Sequence, residues 1–166
     1  MEQNILLVID VQVGTMRFLW GKQEFLKRIN SLIKDFRDRR QPIIFVKQAH
    51  QGTFYPGLNV QEDDMVFMKK HPSAFTVPKF AQQLQQLQPD KLVVTGLMSN
   101  ACVQATTVSA LKNNYAVVLV EDAHDSVIKP LRNFYNKVLS SRGAQLIATA
   151  DYLKNISSHK NNLTAR

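Results

Sequence analysis

Ile5, Leu6, Leu7, Val8 and Ile9 form an unbroken run of branched apolar side chains that ends on Asp10. Successive side chains of a strand point to opposite faces, so a run without polar alternation is satisfied only where both faces are covered. That requirement predicts a strand inside a parallel sheet with helices on both sides, and it puts Asp10 at the strand's C-terminal end. Between Glu24 and Arg39, the residues Phe25, Ile29, Leu32, Ile33 and Phe36 follow the spacing of an amphipathic helix. Ile43 to Val46, entered through Pro42, reads as the next strand.

The alternation continues along the chain. Gly52, Pro56 and Gly57 mark a loop, and Met65 to Met68 is a short strand that runs into Lys69 and Lys70. Lys79 to Leu87 has Phe80, Leu84 and Leu87 on one helical face, and Pro89 bars its continuation. Leu92 to Thr95 is strand-like, Gly96 to Ala101 a connection, and Cys102 to Lys112 a helix stopped by Asn113-Asn114. Val117 to Val120 is a fifth strand, and Asp122 just beyond it reads as a loop or helix-capping residue. A helical stretch around Leu131 to Leu139 precedes a sixth strand, Gln145 to Ile147. The expected fold class is α/β, a three-layer α/β/α domain with a six-stranded, mostly parallel sheet and helices on both faces. That domain is expected over residues 1–156, with a polar, disordered tail at 157–166.

Composition removes several function classes. With one cysteine, Cys102, no intrachain disulfide can form, and the free thiol suits a reducing compartment. The start MEQNILLVID lacks the basic opening and long apolar core of a signal peptide, and no stretch reaches the roughly 18 apolar residues of a membrane helix. A soluble, cytoplasmic protein is expected. The formal net charge of +8 raises the question of nucleic acid. However, Lys22, Lys27, Arg28, Lys34, Arg37, Arg39 and Arg40 surround the first helix rather than lining one face, so a solvated surface is the preferred account. Gly14 to Gly21 lacks the dinucleotide fingerprint, and no glycine-rich phosphate loop or zinc-ligand cluster is present, so no cofactor is expected.

Three segments carry chemistry at strand ends: LLVIDVQVG at Leu6 to Gly14, KKHPSAF at Lys69 to Phe75, and VTGLMSNACVQATTVSALKNNYAVVLVEDAHDS at Val94 to Ser126. In this order they resemble the isochorismatase-like cysteine hydrolases, the superfamily that includes the nicotinamidases. The resemblance runs from about residue 5 to residue 150 and implies a six-stranded, mainly parallel sheet. It also implies a small-molecule substrate, a homo-oligomer of two or more subunits, and no membrane or nucleic-acid partner.

Residue by residue, the resemblance makes Asp10 the family aspartate and Cys102 the nucleophile. It makes Lys69, six residues before Phe75, the family lysine, with Lys70 as the alternative. It implies a cis peptide between Leu97 and Met98, and an oxyanion hole formed by the amides of Met98 and Cys102. The start of a helix would favour the Cys102 thiolate, and Lys69 would add a cation. Gln12 is expected to orient Asp10, Phe75 and the loop near Trp20 to wall the pocket together with Phe54 and Tyr55, and His124 to stand near its rim. Where nicotinamidases carry an aspartate and a histidine for a metal, this chain has Gln48 and His50. His50 is therefore read as a pocket or surface residue and no metal is expected. The implied activity is hydrolysis of a small amide or related acyl compound through a thioester. The alternatives are cleavage of a vinyl ether of the isochorismate type, or a catalytically degenerate anion-binding or interaction protein.

Overall fold

A computed structural model describes residues 2–155, so the tail expected at 157–166 lies outside the described residues. The chain runs β1 (Asn4–Ile9), α1 (Val13–Met16), α2 (Lys22–Asp38), β2 (Ile43–Gln48), β3 (Met65–Lys69) and α3 (Pro78–Leu87). It continues through β4 (Lys91–Leu97), α4 (Cys102–Lys112), β5 (Val117–Asp125), α5 (Pro130–Ser141) and β6 (Gln145–Ile147). Residues 149–155 are again helical. The six strands form one sheet in the order β3-β2-β1-β4-β5-β6, and every neighbouring pair is parallel. This is the expected three-layer α/β/α architecture.

All five residues from Ile5 to Ile9 are fully buried, because β1 is central and both its faces are covered. Leu6 and Val8 pack with Phe45 and Val93 against Phe25, Ile29, Leu32, Ile33 and Phe36 of α2. Ile5, Leu7 and Ile9 face the other way, towards Phe80 and Leu84 of α3 and Val103 and Ala110 of α4. Each such side chain stabilises the fold by about 1.5–3 kcal/mol relative to an exposed one.

Successive strands step away from β1 on one side through β2 and β3, and on the other from β4 through β5 to β6. The order therefore reverses between β1 and β4. Connections leaving the C-terminal ends of two such strands diverge to opposite faces and leave a crevice between them. Asp10 and Cys102 stand on either side of it, just past β1 and β4.

Strands β2 to β5 end later than the sequence-based expectation, at Gln48, Lys69, Leu97 and Asp125, and two of these differences have a clear physical reason. Gly96 belongs to β4 rather than to the connection, with φ +115 and an ideal Cβ that would lie 2.1 Å from the Ile9 carbonyl oxygen. Only glycine lets β4 pass β1 this closely. The fifth strand also continues past Val120 to Asp125, because its pairing with β4 shifts register, from Val94 opposite Leu119 to Gly96 opposite His124. Glu121 and Asp122 occupy this irregular stretch, and their polarity imitates a strand end. Asp122 has the capping role expected of it, since its Oδ1 accepts hydrogen bonds from the backbone N–H and hydroxyl of Thr149 at 2.8 and 2.7 Å.

Replacing Gly96 by alanine is expected to destabilise the protein by about 3 kcal/mol or more, from the left-handed φ combined with the clash against Ile9. Urea unfolding measures it, and a loss under about 1 kcal/mol would contradict the close approach of β1 and β4.

Candidate active site

Four strand ends converge at the crevice. Asp10 follows β1 in a left-handed conformation, φ 51, and its N–H donates to the Val46 carbonyl at 2.9 Å. Its own carbonyl accepts from the Thr15 hydroxyl and from the Gln12 N–H, so the turn is gripped from both sides. Gln48 ends β2, Lys69 ends β3 directly opposite Gln48, and Cys102 is the first residue of α4. This register points Lys69 inward, while Lys70 is exposed.

The Lys69 Nζ donates to Asp10 Oδ2 at 2.8 Å and to Gln48 Oε1 at 2.6 Å, and the Lys69 and Asp10 side chains are no more than 1% exposed. Breaking so buried a pair typically costs 3–5 kcal/mol, because the remaining charge is left uncompensated. The second carboxylate oxygen, Asp10 Oδ1, is buried and has no hydrogen-bond partner among the described residues. Half-buried Cys102 completes the group, with Sγ 3.9 Å from Gln48 Oε1.

Burial raises the Asp10 pKa above the usual carboxylate range, against the opposing charge of Lys69. Burial, and then the Asp10 charge, push the Cys102 thiol up to about 11, with Lys69 offsetting only part of this. Burial and the neighbouring carboxylate both favour the protonated thiol, against the thiolate that a helix start and the Lys69 charge would favour.

Beyond β4, the peptide between Leu97 and Met98 is cis. The Ser99 N–H donates to the Asp125 carbonyl at 2.9 Å, and Ala101 and Val103 donate to the Met98 carbonyl at 3.0 and 3.1 Å. Among the described residues, the amides of Met98 and Cys102 have no acceptor.

Several residues singled out from the sequence play other parts. The side chain of Gln12 does not orient Asp10; its Oε1 accepts the Gln48 N–H at 2.7 Å, and its Nε2 donates to the carbonyls of Gln48 and Gly52 at 3.1 and 2.8 Å. Thus Gln12 clamps the end of β2 and Gln48 is the residue that faces Lys69 and Cys102. The Gln48 Nε2 donates to the Lys70 carbonyl at 3.1 Å, which fixes the amide with its oxygen towards the site. The sequence identified Gln48 only as the wrong residue for a metal, and nothing in its local pattern shows what it meets.

His50 is exposed in a left-handed turn after β2 and joins no described site residue. A divalent cation at Gln48 Oε1 would stand beside the Lys69 ammonium, so these residues do not fit a metal ion. Phe75 packs edge-on against Phe80 at 5.2 Å and against Tyr115 at 5.9 Å, within the α3/α4 side of the core. Phe54 packs on Phe45, and both Phe54 and Tyr55 lie on the other, α2 side of the sheet from Phe75. Trp20 is 77% exposed, with Phe18 and Ile128 nearby in exposure, and its carbonyl accepts from Lys129 Nζ.

His124 is not a rim residue. It is fully buried on β5, with Nδ1 2.8 Å from Ser99 Oγ and Nε2 2.6 Å from Asn136 Oδ1. The Asn136 amide donates to the Glu121 carbonyl, so its oxygen faces the ring and Nε2 carries the proton, leaving Nδ1 to accept from Ser99. Burial pushes the His124 pKa down to about 4. Ser99 and His124 hold the connection after β4 from behind.

A parallel sheet whose switch point carries a buried aspartate–lysine pair beside a cysteine at a helix start defines an isochorismatase-like hydrolase. The family model for the isochorismatase domain matches residues 4–151, and the chain belongs to the isochorismatase family. It is 30% identical over 136 residues to the uncharacterized isochorismatase family protein YddQ of Bacillus subtilis, covering 71% of this chain and 75% of that one. An isochorismatase from Pseudomonas putida superposes with a TM-score of 0.84 at 28% identity, over 90% of this chain and 89% of that one. The YcaC gene product of Escherichia coli, an octameric hydrolase of unknown specificity, shares the fold with a TM-score of 0.79 at 21% identity, over 88% and 75% of the two chains.

Two outcomes follow from the site's electrostatics. Replacing Asp10 by asparagine removes a charge that raises the thiol pKa, so alkylation of Cys102 by iodoacetamide should begin at lower pH than in the wild type. An unchanged profile would show that Asp10 does not act on the thiol, and an upward shift would show that it acts chiefly by taking the thiol proton rather than by its charge. For His124, a folded-state pKa below the ordinary value means that the unfolded chain takes up the proton first. Its stabilising contribution is therefore present above pH ~6.5 and is lost as pH falls towards 4, by about 3 kcal/mol in all. Urea titrations at pH 7 and 4.5 should show a smaller decline in the His124→Gln variant than in the wild type.

Proposed function

We propose that this protein is a cysteine-dependent hydrolase of a small amide or a related acyl compound, acting through a covalent thioester with Asp10, Lys69 and Cys102 as its catalytic residues. The observation that carries this reading is the divided carboxylate of Asp10. Lys69 holds Oδ2, and Oδ1 is buried, unpartnered and free to take a proton.

When substrate enters, the Cys102 thiol transfers its proton to Asp10 Oδ1 and Sγ attacks the carbonyl carbon. The Lys69 ammonium offsets the thiolate charge, which a thiol pKa of about 11 requires. The carbonyl π electrons move to oxygen, and the free amides of Met98 and Cys102 receive the oxyanion; such donors contribute about 2.7–4 kcal/mol each. Collapse breaks the C–N bond, and the leaving amine takes the proton from Asp10. Water then attacks the thioester and gives a proton to Asp10. As the second tetrahedral species collapses, the acid leaves and sulfur regains the proton. The raised pKa of Asp10 suits a group that must both accept and return a proton.

That same raised pKa supports a second reading, in which a protonated Asp10 donates to a vinyl ether of the isochorismate type and no thioester forms. The exposed apolar side chains of Phe18, Trp20 and Ile128 support a homo-oligomer, the assembly described for YcaC of Escherichia coli being octameric. No described helix is long and apolar enough to cross a membrane, and with a free Cys102 we place the enzyme in the cytoplasm.

A panel of small amides and vinyl ethers, assayed with acid-quenched intact mass spectrometry, tests the reading. An amide substrate should leave an acyl adduct on Cys102, and Cys102→Ala should lower kcat/KM by at least about a thousandfold. Turnover retained in Cys102→Ala, with no adduct, would instead favour the vinyl-ether reaction.

A further inference from the structure

Among the described residues, the unpaired charges that follow the strand ends around the crevice are of one sign. The stretches that follow the C-terminal ends of β1 to β5, residues 11–21, 49–61, 70–77, 98–101 and 126–129, carry no aspartate or glutamate. Asp10 and Asp125 at the ends of β1 and β5 are paired with Lys69 and Lys129, and Glu62, Asp63 and Asp64 lie at the far end of the β2–β3 connection, where it enters β3. The same stretches contain Arg17, His50, Lys70, His71 and Lys129. Lys129 is paired with Asp125, whereas Arg17, Lys70, His50 and His71 are exposed and pair with no acid among the described residues. Glu24, in the first turn of α2, is the first acid that follows Arg17 in the chain. On the opposite edge of the sheet the entering segments carry Glu2, Glu62, Asp63, Asp64 and Asp90.

Lys70 is tied closely to the reacting groups. Its carbonyl accepts from Gln48 Nε2 at 3.1 Å, and the other end of that amide meets Lys69 and Cys102. Among the described residues, the full charges that act on the thiol inside the crevice are those of Asp10 and Lys69, and these oppose one another. The field that an incoming molecule meets is therefore set by the rim, and low-dielectric walls focus such a field.

We propose that the site takes an anionic substrate: an acyl compound whose far end carries a carboxylate or phosphate held by the rim cations, Lys70 and Arg17 above all. The proposal rests on Cys102 as the group at the bottom of the crevice, but its test needs no turnover and no known substrate. Iodoacetate and iodoacetamide alkylate a thiolate by the same displacement, in which an S–C bond forms and iodide leaves, and they differ in charge. The ratio of their rates at Cys102, divided by the same ratio for glutathione, reads the potential at the sulfur and cancels the thiol's own pKa.

That normalised ratio should exceed 1 several-fold at low ionic strength and fall towards 1 in 0.5 M salt, where the screening length is only about 4 Å. A unit charge ~8 Å away in water changes the local concentration of an anion about twofold, so reversing one charge changes it about fivefold. Lys70→Glu and Arg17→Glu should each lower the ratio by that order, and Lys112→Glu, at the far end of α4, should leave it unchanged. Inorganic phosphate and malonate, each at constant ionic strength, should slow alkylation by iodoacetamide in the wild type and not in Lys70→Glu; whichever protects at the lower concentration identifies the anionic group. A normalised ratio of 1 or less, insensitive to salt and to both rim reversals, overturns the proposal. If Cys102 reacts with neither reagent in folded protein, it is the nucleophile assignment that fails instead.

Discussion

The buried ion pair between Asp10 and Lys69 is the constraint around which the C-terminal edge of the sheet is arranged. Two opposite charges removed from water are tolerated only when they meet at hydrogen-bond distance and their remaining valences are used. The parallel register supplies the first condition, since β1, β2 and β3 run side by side and bring Asp10, Gln48 and Lys69 to one level. Gln48 supplies part of the second by accepting from Lys69, and it is itself held by Gln12. What stays unused is Asp10 Oδ1, and it stays unused beside the one cysteine.

This arrangement favours the protonated thiol. A permanently ionised cysteine would be open to oxidants and stray electrophiles, whereas a thiol beside a poised carboxylate becomes nucleophilic as its proton moves. The Asp10 charge, which adds to burial in raising the thiol pKa, belongs to the group that receives the proton in the proposed mechanism, where the transfer would neutralise the charge opposing the thiolate.

Much of the fold was legible because β1 and α2 are extreme in pattern. The Ile5–Ile9 run admits only a doubly covered strand, and the five buried residues of α2 are the five with helical spacing. Parts of the site were legible too, since strand ends are where a sheet of this topology presents functional groups. The missed parts share a cause. Gln12, Gln48, Ser99, His124 and Asn136 are joined by contacts between residues 12 to 36 positions apart in the chain, and no local pattern encodes which polar side chain meets which. The bulge in β5 escaped notice for a similar reason, because Glu121 and Asp122 are explained by Arg28, Thr149 and Asn136 rather than by their neighbours in sequence.

By itself the sequence determined the class of fold and the order of its strands, since hydrophobic periodicity and chain-breaking residues act locally. Only the tertiary structure decided that Lys69 rather than Lys70 turns inward, that Gln12 serves Gln48 rather than Asp10, and that His124 is an interior strut. Each of those outcomes depends on burial and on distances between separate strands. The energies of charges and polar groups are set by such surroundings far more than by residue type.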